Sequence, residues 1–249
     1  MADLKTGGED CIRAEWVLGT DGAHSTVRNL LGAEARHRLY PQRFLMADFE
    51  DNTGWGDAAH LFFTRHGSLE SFPLPKQRRR WVALCRDDLA EMEPREYLRH
   101  RAALIAGIDL PARPVSPASE FRPERADLST LVLGRVVLAG DAAHLMSPIG
   151  GQGMNSGMGD AALLAEALPL VDEDPVRREI LADYDRRRRR AARVAARRAA
   201  YGMWVGTRTG RVASALRGAV FRNLLLRGPI HSRLAPHFAM LTIPGNRRA

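Results

Sequence analysis

Apolar residues at alternate positions open the chain. Ile12, Trp16 and Leu18 follow this spacing, which predicts a strand that ends at an Asp-Gly turn at residues 21–22. Ser25 is well placed to cap the N-terminus of a short helix, which the next glycine would stop. The pattern therefore predicts a strand followed by a helix in the first 32 residues.

Short β-rich runs fill the next part of the chain, between residues 44 and 86. They read FLMADFE, HLFFT, SLESFPL and RWVALC, and turn signals such as Asn52, Gly67 and Pro75 separate them. The pattern predicts an antiparallel sheet, with one helix over about residues 94–107 packed against it. A further strand is predicted at residues 119–122.

The second half of the chain returns to a strand followed by helices. Residues 135–140 predict a buried strand, and residues 153–168 predict a helix. The apolar face of that helix is predicted to contain Met154, Met158, Ala161, Ala165 and Leu168. An Asp-Pro pair at residues 174–175 predicts the start of a long arginine-rich helix, which Gly202 would interrupt. The fold class is thus mixed α/β (α+β), with an inserted antiparallel sheet and a helical C-terminus.

The charge of the chain is unevenly distributed. The formal net charge is +8, and from residue 175 onward 18 arginines face three acidic residues. A basic tail of this kind is compatible with nucleic acid or an anionic membrane surface. Only two of the 37 basic residues are lysines, however, and alanines rather than aromatic residues lie among the arginines of 186–198. We therefore predict a solvated helix face and no nucleic-acid partner.

Composition narrows the class of protein further. With 249 residues, 45% hydrophobic and 27% charged, the chain is long enough to bury a core without disulfides or metals. No apolar run approaches the length of a membrane span, and no signal region appears. The two cysteines, Cys11 and Cys85, cannot form a disulfide framework or a thiolate metal site. We expect a reduced, cytoplasmic protein without a metal, in which Cys85 is a core residue of a strand.

The first group of residues that could carry chemistry is Asp21, Gly22, Ser25 and Arg28. A helix N-terminus with free amides and an arginine on its first turn forms an anion site that suits a pyrophosphate. The alternative is a plain strand, turn and helix with a capping serine. Physical reasoning alone gives the two interpretations similar weight.

The second group is a more specific signal than the first, and its sequence at residues 140–155 is GDAAHLMSPIGGQGMN. A buried strand delivers Asp141 at its C-terminal end, where α/β sheets bind ligands and where a carboxylate can accept hydrogen bonds from ribitol or ribose hydroxyls. Gly150, Gly151 and Gly153 would bring bare backbone against a flat group. The helix that starts there would favour negative charge.

Histidines and aromatic residues elsewhere have less specific interpretations. We expect His144 to be a hydrogen-bonded structural residue rather than a base, and His24 to be exposed. Trp81, Phe62 and Phe63 are candidates for lining a substrate cavity, although packing on a strand face explains them equally well.

Together, DGxxSxxR at residues 21–28 and GDAAHxxxPxGGQGMN at 140–155 resemble two fingerprints of the flavoprotein aromatic hydroxylases, single-component FAD monooxygenases typified by p-hydroxybenzoate hydroxylase. The resemblance covers nearly the whole chain and also includes Tyr184 and Asp185 on the C-terminal helix. It implies FAD as cofactor, NAD(P)H as co-substrate and a small aromatic or polyketide-like substrate, which is hydroxylated by a flavin C4a-hydroperoxide.

The resemblance also assigns positions to the cofactor. The first motif would lie near the FAD pyrophosphate and the approach of NADPH, and Asp141, after Gly140, would contact the ribitol. Residues 148–155 would line the isoalloxazine ring. Pro148 would lie at the ring edge, and Gly153, Met154 and Asn155 would lie at the start of the helix. The resemblance identifies no catalytic side chain. Gly159 departs from the glutamine that often stands there in the family.

The resemblance also implies a domain organisation. Residues 1–32 and 126–172 would belong to a partial FAD-binding, Rossmann-like domain, residues 33–125 to the substrate domain, and residues 173–249 to the arginine-rich helices.

The family's opening βαβ unit with GxGxxG is not found in this sequence. We therefore expect either a fragment of a longer reading frame or a separate chain that supplies the missing half. The isolated chain is expected to be poorly soluble and to bind little FAD. Alternatives are a catalytically silent remnant or interaction module, or a reductase or halogenase on the same fold.

Overall fold

The computed structural model describes residues 11–86, 92–148, 151–170 and 174–220, together with positions 223 and 236. Its strands are β1 Val17–Gly19, β2 Ala35–Leu39, β3 Phe44–Glu50, β4 His60–Thr64, β5 Gly67–Leu74, β6 Arg78–Leu84, β7 Ser119–Phe121, β8 Glu124–Leu128, β9 Val132–Leu133, β10 Val136–Leu138 and β11 His144–Leu145. Its helices are α1 Thr26–Leu30, α2 Pro94–Ala106, α3 Gln152–Ala167, α4 Asp174–Thr207 and α5 Arg211–Val220. The mixed α/β class and the helical C-terminal part are confirmed.

The predicted antiparallel sheet is present and has the strand order β4-β5-β6-β3-β7. One of its faces packs against α2 through a core that includes Leu45, Leu69, Trp81 and Leu98. Trp81 is completely buried there, and Phe62 packs against the same cluster. These two residues therefore support the core rather than line a cavity.

The opposite face of this sheet packs against α4. Phe44, Val82 and Leu84 form a buried hydrophobic cluster with Met203 of α4, and Tyr40 belongs to the same cluster. Phe63 lies on this side as well, because an added Cβ at Gly206 of α4 would stand 2.8 Å from its ring. Helix α4 therefore extends from the small sheets of the molecule across the large one.

Two three-stranded sheets complete the fold. The first has the order β1-β10-β9, with β1 and β10 parallel, and the second has the order β11-β8-β2 and is antiparallel. The strand predicted to include Ile12 is shorter than expected, because only Val17–Gly19 pair with β10, and Ile12 is exposed. Strand β2 was not predicted, since ARHRL has no alternating apolar pattern. Strand β8 crosses residue 125, the predicted end of the substrate domain.

Helix α3 has the predicted length but buries the opposite face. The predicted apolar face is turned to the surface: Met154, Met158, Ala161 and Ala165 are exposed, and Leu168 is only partly buried. The buried residues are Gln152, Ser156, Asp160, Leu164 and Ala167. Asp160 is tolerated in this set because its carboxylate hydrogen-bonds within the protein, as described below.

Helix α4 is longer than predicted, and the predicted break at Gly202 is wrong. The helix continues through Gly202 to Thr207. A single glycine costs only about 1 kcal/mol in a helix, and the packing of Met203 against the sheet offsets this. Cys85, predicted within a strand, follows the end of β6 and is half-buried against the α2 side of the sheet. Within the described ranges, no helix is long and apolar enough to cross a membrane.

Two glycines of α4 give a matched test of this packing. Nothing lies within 4 Å of an added Cβ at Gly202, whereas at Gly206 the Phe63 ring is in the way. Gly202→Ala should therefore raise the free energy of unfolding by about 0.5–1 kcal/mol through helix propensity. Gly206→Ala should lower it by roughly 1 kcal/mol or more, because Phe63 must move. Urea unfolding of both variants checks this, and equal stabilisation by both would contradict the packing described.

Candidate functional site

The first motif forms the turn between β1 and α1. Ser25 is the N-cap of α1: its Oγ accepts a hydrogen bond from the Arg28 amide at 3.0 Å and donates to Asp21 Oδ1 at 2.5 Å. The Val27 amide donates to Asp21 Oδ2 at 3.0 Å. The hydrogen bonds from Ser25 and then from Val27 hold the pKa of Asp21 below its ordinary value. Two of the helix's first amides are therefore already bound to oxygens of the chain itself.

Arg28 connects the first motif to the second. Its side chain is buried, with 5% of the residue exposed, and it donates to the Ala142 carbonyl at 3.1 Å and to the Ala23 carbonyl at 2.7 Å. The planar guanidinium fork suits this double contact. In this structure Arg28 therefore ties two loops together.

The strands that carry the two motifs lie side by side. Leu18 pairs with Val137 and Gly19 with Leu138, in parallel register, so the C-terminal ends of β1 and β10 meet at the same edge. An added Cβ at Gly19 would stand 2.6 Å from Leu138 and 2.9 Å from Val27. Only glycine lets β1, β10 and α1 approach this closely.

The second motif begins where β10 ends. Gly140 adopts a positive φ of 61°, and a 3-10 turn over Gly140–Ala142 follows. The turn leaves Asp141 exposed next to the buried Ala142, and the Asp141 carboxylate accepts no hydrogen bond from the described residues. An added Cβ at Gly153 would lie 3.9 Å from Asp141 Oδ1, so the carboxylate stands beside the first turn of α3.

The start of α3 is bare backbone. Gly151, with a φ of 65°, occupies the N-cap position without a side-chain cap, and its amide donates to the Pro148 carbonyl at 3.0 Å. Asn155 Nδ2 donates back to the Gly151 carbonyl at 3.0 Å. Pro148 and Met154 are exposed. The predicted residue Gly150 lies outside the described residues.

A buried ionic cluster lies beneath this loop and is centred on Asp160 of α3. Asp160 Oδ2 accepts a hydrogen bond from the Gly140 amide at 2.8 Å and lies 2.7 Å from His144 Nε2. Asp160 Oδ1 accepts from Arg188 Nε of α4 at 2.5 Å, and Arg188 also donates to the Ser156 carbonyl at 2.9 Å. Asp160 and Arg188 are both completely buried. The cluster therefore joins α3, α4 and the Gly140 turn.

The cluster also determines the ionisation of its carboxylate. Burial by itself would raise the pKa of Asp160, but His144 and then Arg188 outweigh burial and keep this pKa below its ordinary value. Asp160 is consequently an anion that balances Arg188. His144 is buried and bound to Asp160, as expected for a structural histidine, and His24 is exposed on its turn.

The prediction that the arginine run is a solvated face is wrong at Arg188. Arg186 and Arg190 are exposed, but Arg188 points to the opposite side of α4 and reaches α3. The charge pattern of α4 alone could not distinguish the buried arginine from its neighbours. A signal does exist in α3, where Asp160 shares one helical face with Ser156 and Leu164.

Further contacts from α4 hold β10 and the segment before it. The Tyr184 hydroxyl donates to the Leu138 carbonyl at 2.9 Å, and burial raises the pKa of this tyrosine. Asp185 Oδ1 accepts from the Leu131 amide at 2.6 Å. Sequence reasoning assigned Tyr184 and Asp185 only to a helix, and the structure shows that both anchor the strand that presents Asp141.

The described residues contain no group of three or more His, Cys, Asp or Glu side chains that could hold a metal ion. The candidate site presents the exposed Asp141 carboxylate, exposed backbone at Gly151 and the N-terminus of α3. This combination, at the C-terminal end of a parallel strand pair with an inserted antiparallel sheet, is typical of a dinucleotide-binding α/β protein with a separate substrate domain.

Comparison with known proteins specifies the family. A family model described as an FAD binding domain matches residues 1–199, so the chain belongs to this FAD-binding family, that of the p-hydroxybenzoate hydroxylase-like aromatic hydroxylases. The 6-methylpretetramide 4-monooxygenase of Streptomyces rimosus is 34% identical over 227 residues, which are 88% of this chain and 39% of that protein. The ubiquinone hydroxylase UbiL of Rhodospirillum rubrum is 34% identical over 185 residues, which are 72% of this chain and 43% of that protein.

A solved structure has the same fold. The p-nitrophenol 4-monooxygenase of Pseudomonas putida superposes with a TM-score of 0.76 at 25% identity, over 94% of this chain and 60% of that one. The chain spans less than half the length of the two relatives named above. The predicted resemblance to the FAD-dependent aromatic hydroxylases is confirmed.

The buried cluster leads to a prediction about stability. Arg188→Gln should lower the free energy of unfolding by about 3–5 kcal/mol, because it leaves the Asp160 charge without its arginine. Arg187→Gln is the matched control: Arg187 pairs with Asp183 at the half-exposed surface, and such pairs contribute only about 0.2–1 kcal/mol. Thermal and urea unfolding of both variants measure the difference. An Arg188→Gln protein as stable as the control would show that the cluster is not required.

Proposed function

We propose that this chain is the part of an FAD-dependent monooxygenase that holds the ribitol and isoalloxazine portions of the flavin and one wall of the substrate site. The observation that carries the proposal is the exposed Asp141 carboxylate, which lies beside the bare first turn of α3 and accepts no hydrogen bond from the part of the chain that the structure describes. Family membership supports FAD as the group that is bound.

The residues present fit this cofactor. A carboxylate at the end of β10 can accept hydrogen bonds from two ribitol hydroxyls. The absence of a side chain at Gly153 leaves room next to that carboxylate. The N-terminal amides of α3 favour negative charge on the pyrimidine edge of the ring, and the exposed Pro148 would border the ring.

When bound, FAD would supply the oxygen chemistry of the family with electrons from NAD(P)H. The chain's own residues position the cofactor. Asp160 holds the Gly140 amide and Arg28 holds the Ala142 carbonyl, so the residues on both sides of Asp141 are fixed. A carboxylate that is already oriented binds its hydroxyl partners with a smaller loss of conformational entropy.

The substrate class in this proposal is aromatic or polyketide-like. Relatives named for such compounds include the 6-methylpretetramide enzyme and a para-nitrophenol 4-monooxygenase from Pseudomonas. The five-stranded sheet would cover the substrate with the part of its α4-side face that α4 leaves exposed, around Leu61, since α2 occupies the other face.

Two exposed apolar surfaces favour the presence of a further protein segment packed against this part of the monooxygenase. Val17 and Leu18 of the edge strand β1 are each 42% exposed, and Met154 and Met158 of α3 are 70% and 59% exposed. Apolar surface of this kind next to an open strand edge favours association with more protein. We propose that a βαβ unit with a glycine loop, in the same or a separate polypeptide, covers these surfaces and binds the ADP half of FAD.

Asp141→Ala tests the assignment of the carboxylate. In the protein together with its ADP-binding unit, the variant loses charge-assisted hydrogen bonds that contribute on the order of 1.5–3 kcal/mol each. The affinity for FAD, titrated by absorbance and flavin fluorescence, should therefore fall at least tenfold. Asp57→Ala, an exposed aspartate in the loop before β4, is the control and should leave the affinity unchanged. Unchanged affinity in Asp141→Ala would refute the role of this carboxylate.

A further inference from the structure

Glu70 lies on the face of the large sheet that α4 covers. In β5 it pairs with Leu61 of β4 and with Val82 of β6, and Val82 contacts Met203 of α4. Paired residues of an antiparallel sheet project to the same side. Glu70 is therefore on the side opposite α2, among apolar neighbours.

A second polar residue lies on the same face, two positions earlier in β5. Ser68 pairs with Phe63 of β4, and only 2% of it is exposed. Its Oγ is buried and has no hydrogen-bond partner in the described structure. A buried hydroxyl without a partner is uncommon and costs free energy, so it points to a ligand or a water at this place.

Glu70 lacks a partner as well. No hydrogen bond or ion pair to its carboxylate is found among the described residues, although the side chain is only partly buried and can be reached. Burial raises the pKa of Glu70 to about 7, and no neighbouring charge contributes to this shift. The carboxyl group therefore changes its charge near neutral pH.

The charged groups on this face do not neutralise Glu70. On β6, Arg80 pairs with Asp48 of β3 at 2.7 Å. On β4, the neighbours Leu61 and Phe63 are uncharged. The residues of α4 that meet this face, Ala200, Met203 and Gly206, are uncharged as well. Arg217 of α5 donates to the Thr64 carbonyl and to two carbonyls of the α4–α5 region.

We propose that Glu70, with Ser68 beside it, forms the polar end of the substrate site and accepts a hydrogen bond from a phenolic hydroxyl of an aromatic substrate. This inference rests on the proposed function, which places the substrate against this face. The apolar part of the face contacts the rings, and the carboxylate selects aromatic compounds that carry a hydroxyl donor. No family motif contributes to the argument, since Glu70 lies outside both.

The experiment measures the binding of 2-naphthol to the protein together with its ADP-binding unit, in the presence of saturating FAD, by fluorescence anisotropy, at one pH unit below and one above 7. The phenol stays protonated throughout this range. Binding should be stronger at the higher pH, where Glu70 is ionised. 2-Methoxynaphthalene, which lacks the donor, should bind at least tenfold more weakly than 2-naphthol at the higher pH.

Substitutions test which residue is responsible for the pH dependence of 2-naphthol binding. Glu70→Gln should weaken 2-naphthol binding roughly tenfold at the higher pH and remove the pH dependence, because a charge-assisted hydrogen bond becomes a neutral one. Ser68→Ala should weaken 2-naphthol binding by a smaller factor than Glu70→Gln does. Glu50→Gln, at the exposed end of β3, is the matched control and should change nothing.

Stability provides a readout that needs no ligand. A carboxyl group whose folded pKa is about 7 rather than 4.5 binds more protons in the folded state, so stability falls as the pH rises between these values. Glu70→Gln should therefore raise the melting temperature more above pH 7 than near pH 5.

The outcomes separate this inference from the proposed function. Equal 2-naphthol binding by the wild type and Glu70→Gln, or no binding by the wild type, overturns the role of Glu70 even if FAD binds normally. In the protein together with its ADP-binding unit, loss of 2-naphthol binding in Glu70→Gln without any flavin binding by the wild type supports a phenol site and overturns the proposed flavin function.

Discussion

The requirement to neutralise one buried charge organises the structure around the candidate flavin site. Asp160 lies at the centre of α3 without access to solvent, and an ionised carboxylate there is stable only with the arginine of α4, the histidine after the Gly140 turn and the Gly140 amide. Each partner comes from a different segment. The charge therefore determines where α4 crosses α3 and how the turn that presents Asp141 is oriented.

The exposed and the buried sides of the molecule have complementary roles. The side with Asp141, Pro148 and Met154 exposes a carboxylate, backbone and apolar surface, which suits a flat cofactor and a further protein segment. The α4 side of the large sheet instead places two polar groups, Ser68 and Glu70, among aromatic and aliphatic side chains, and neither has a partner among the described residues. Under the proposed function, cofactor and substrate recognition would fall to different elements that α4 connects.

Where sequence and structure disagree, a contact distant in sequence is the reason. The apolar face predicted for α3 is exposed and its more polar face is buried, because hydrogen bonds from α4 and from the Gly140 turn satisfy Asp160. Arg188 cannot be told from Arg187 by local pattern, since both lie in one run of arginines, and only the position of α3 decides which of them is buried.

The sequence by itself determined the features that depend on local chemistry. The bare glycine start of α3, the capping Ser25 and the alternating strands between residues 44 and 84 were all predicted from short spans, because backbone conformation and helix capping depend on neighbouring residues. Tertiary structure alone decided that Arg28 joins two loops, that Trp81 belongs to the α2 side of the sheet and that Glu70 belongs to the α4 side. The physical reason is that burial and the pairing of charges depend on which elements pack together, and many residues separate those elements in the chain.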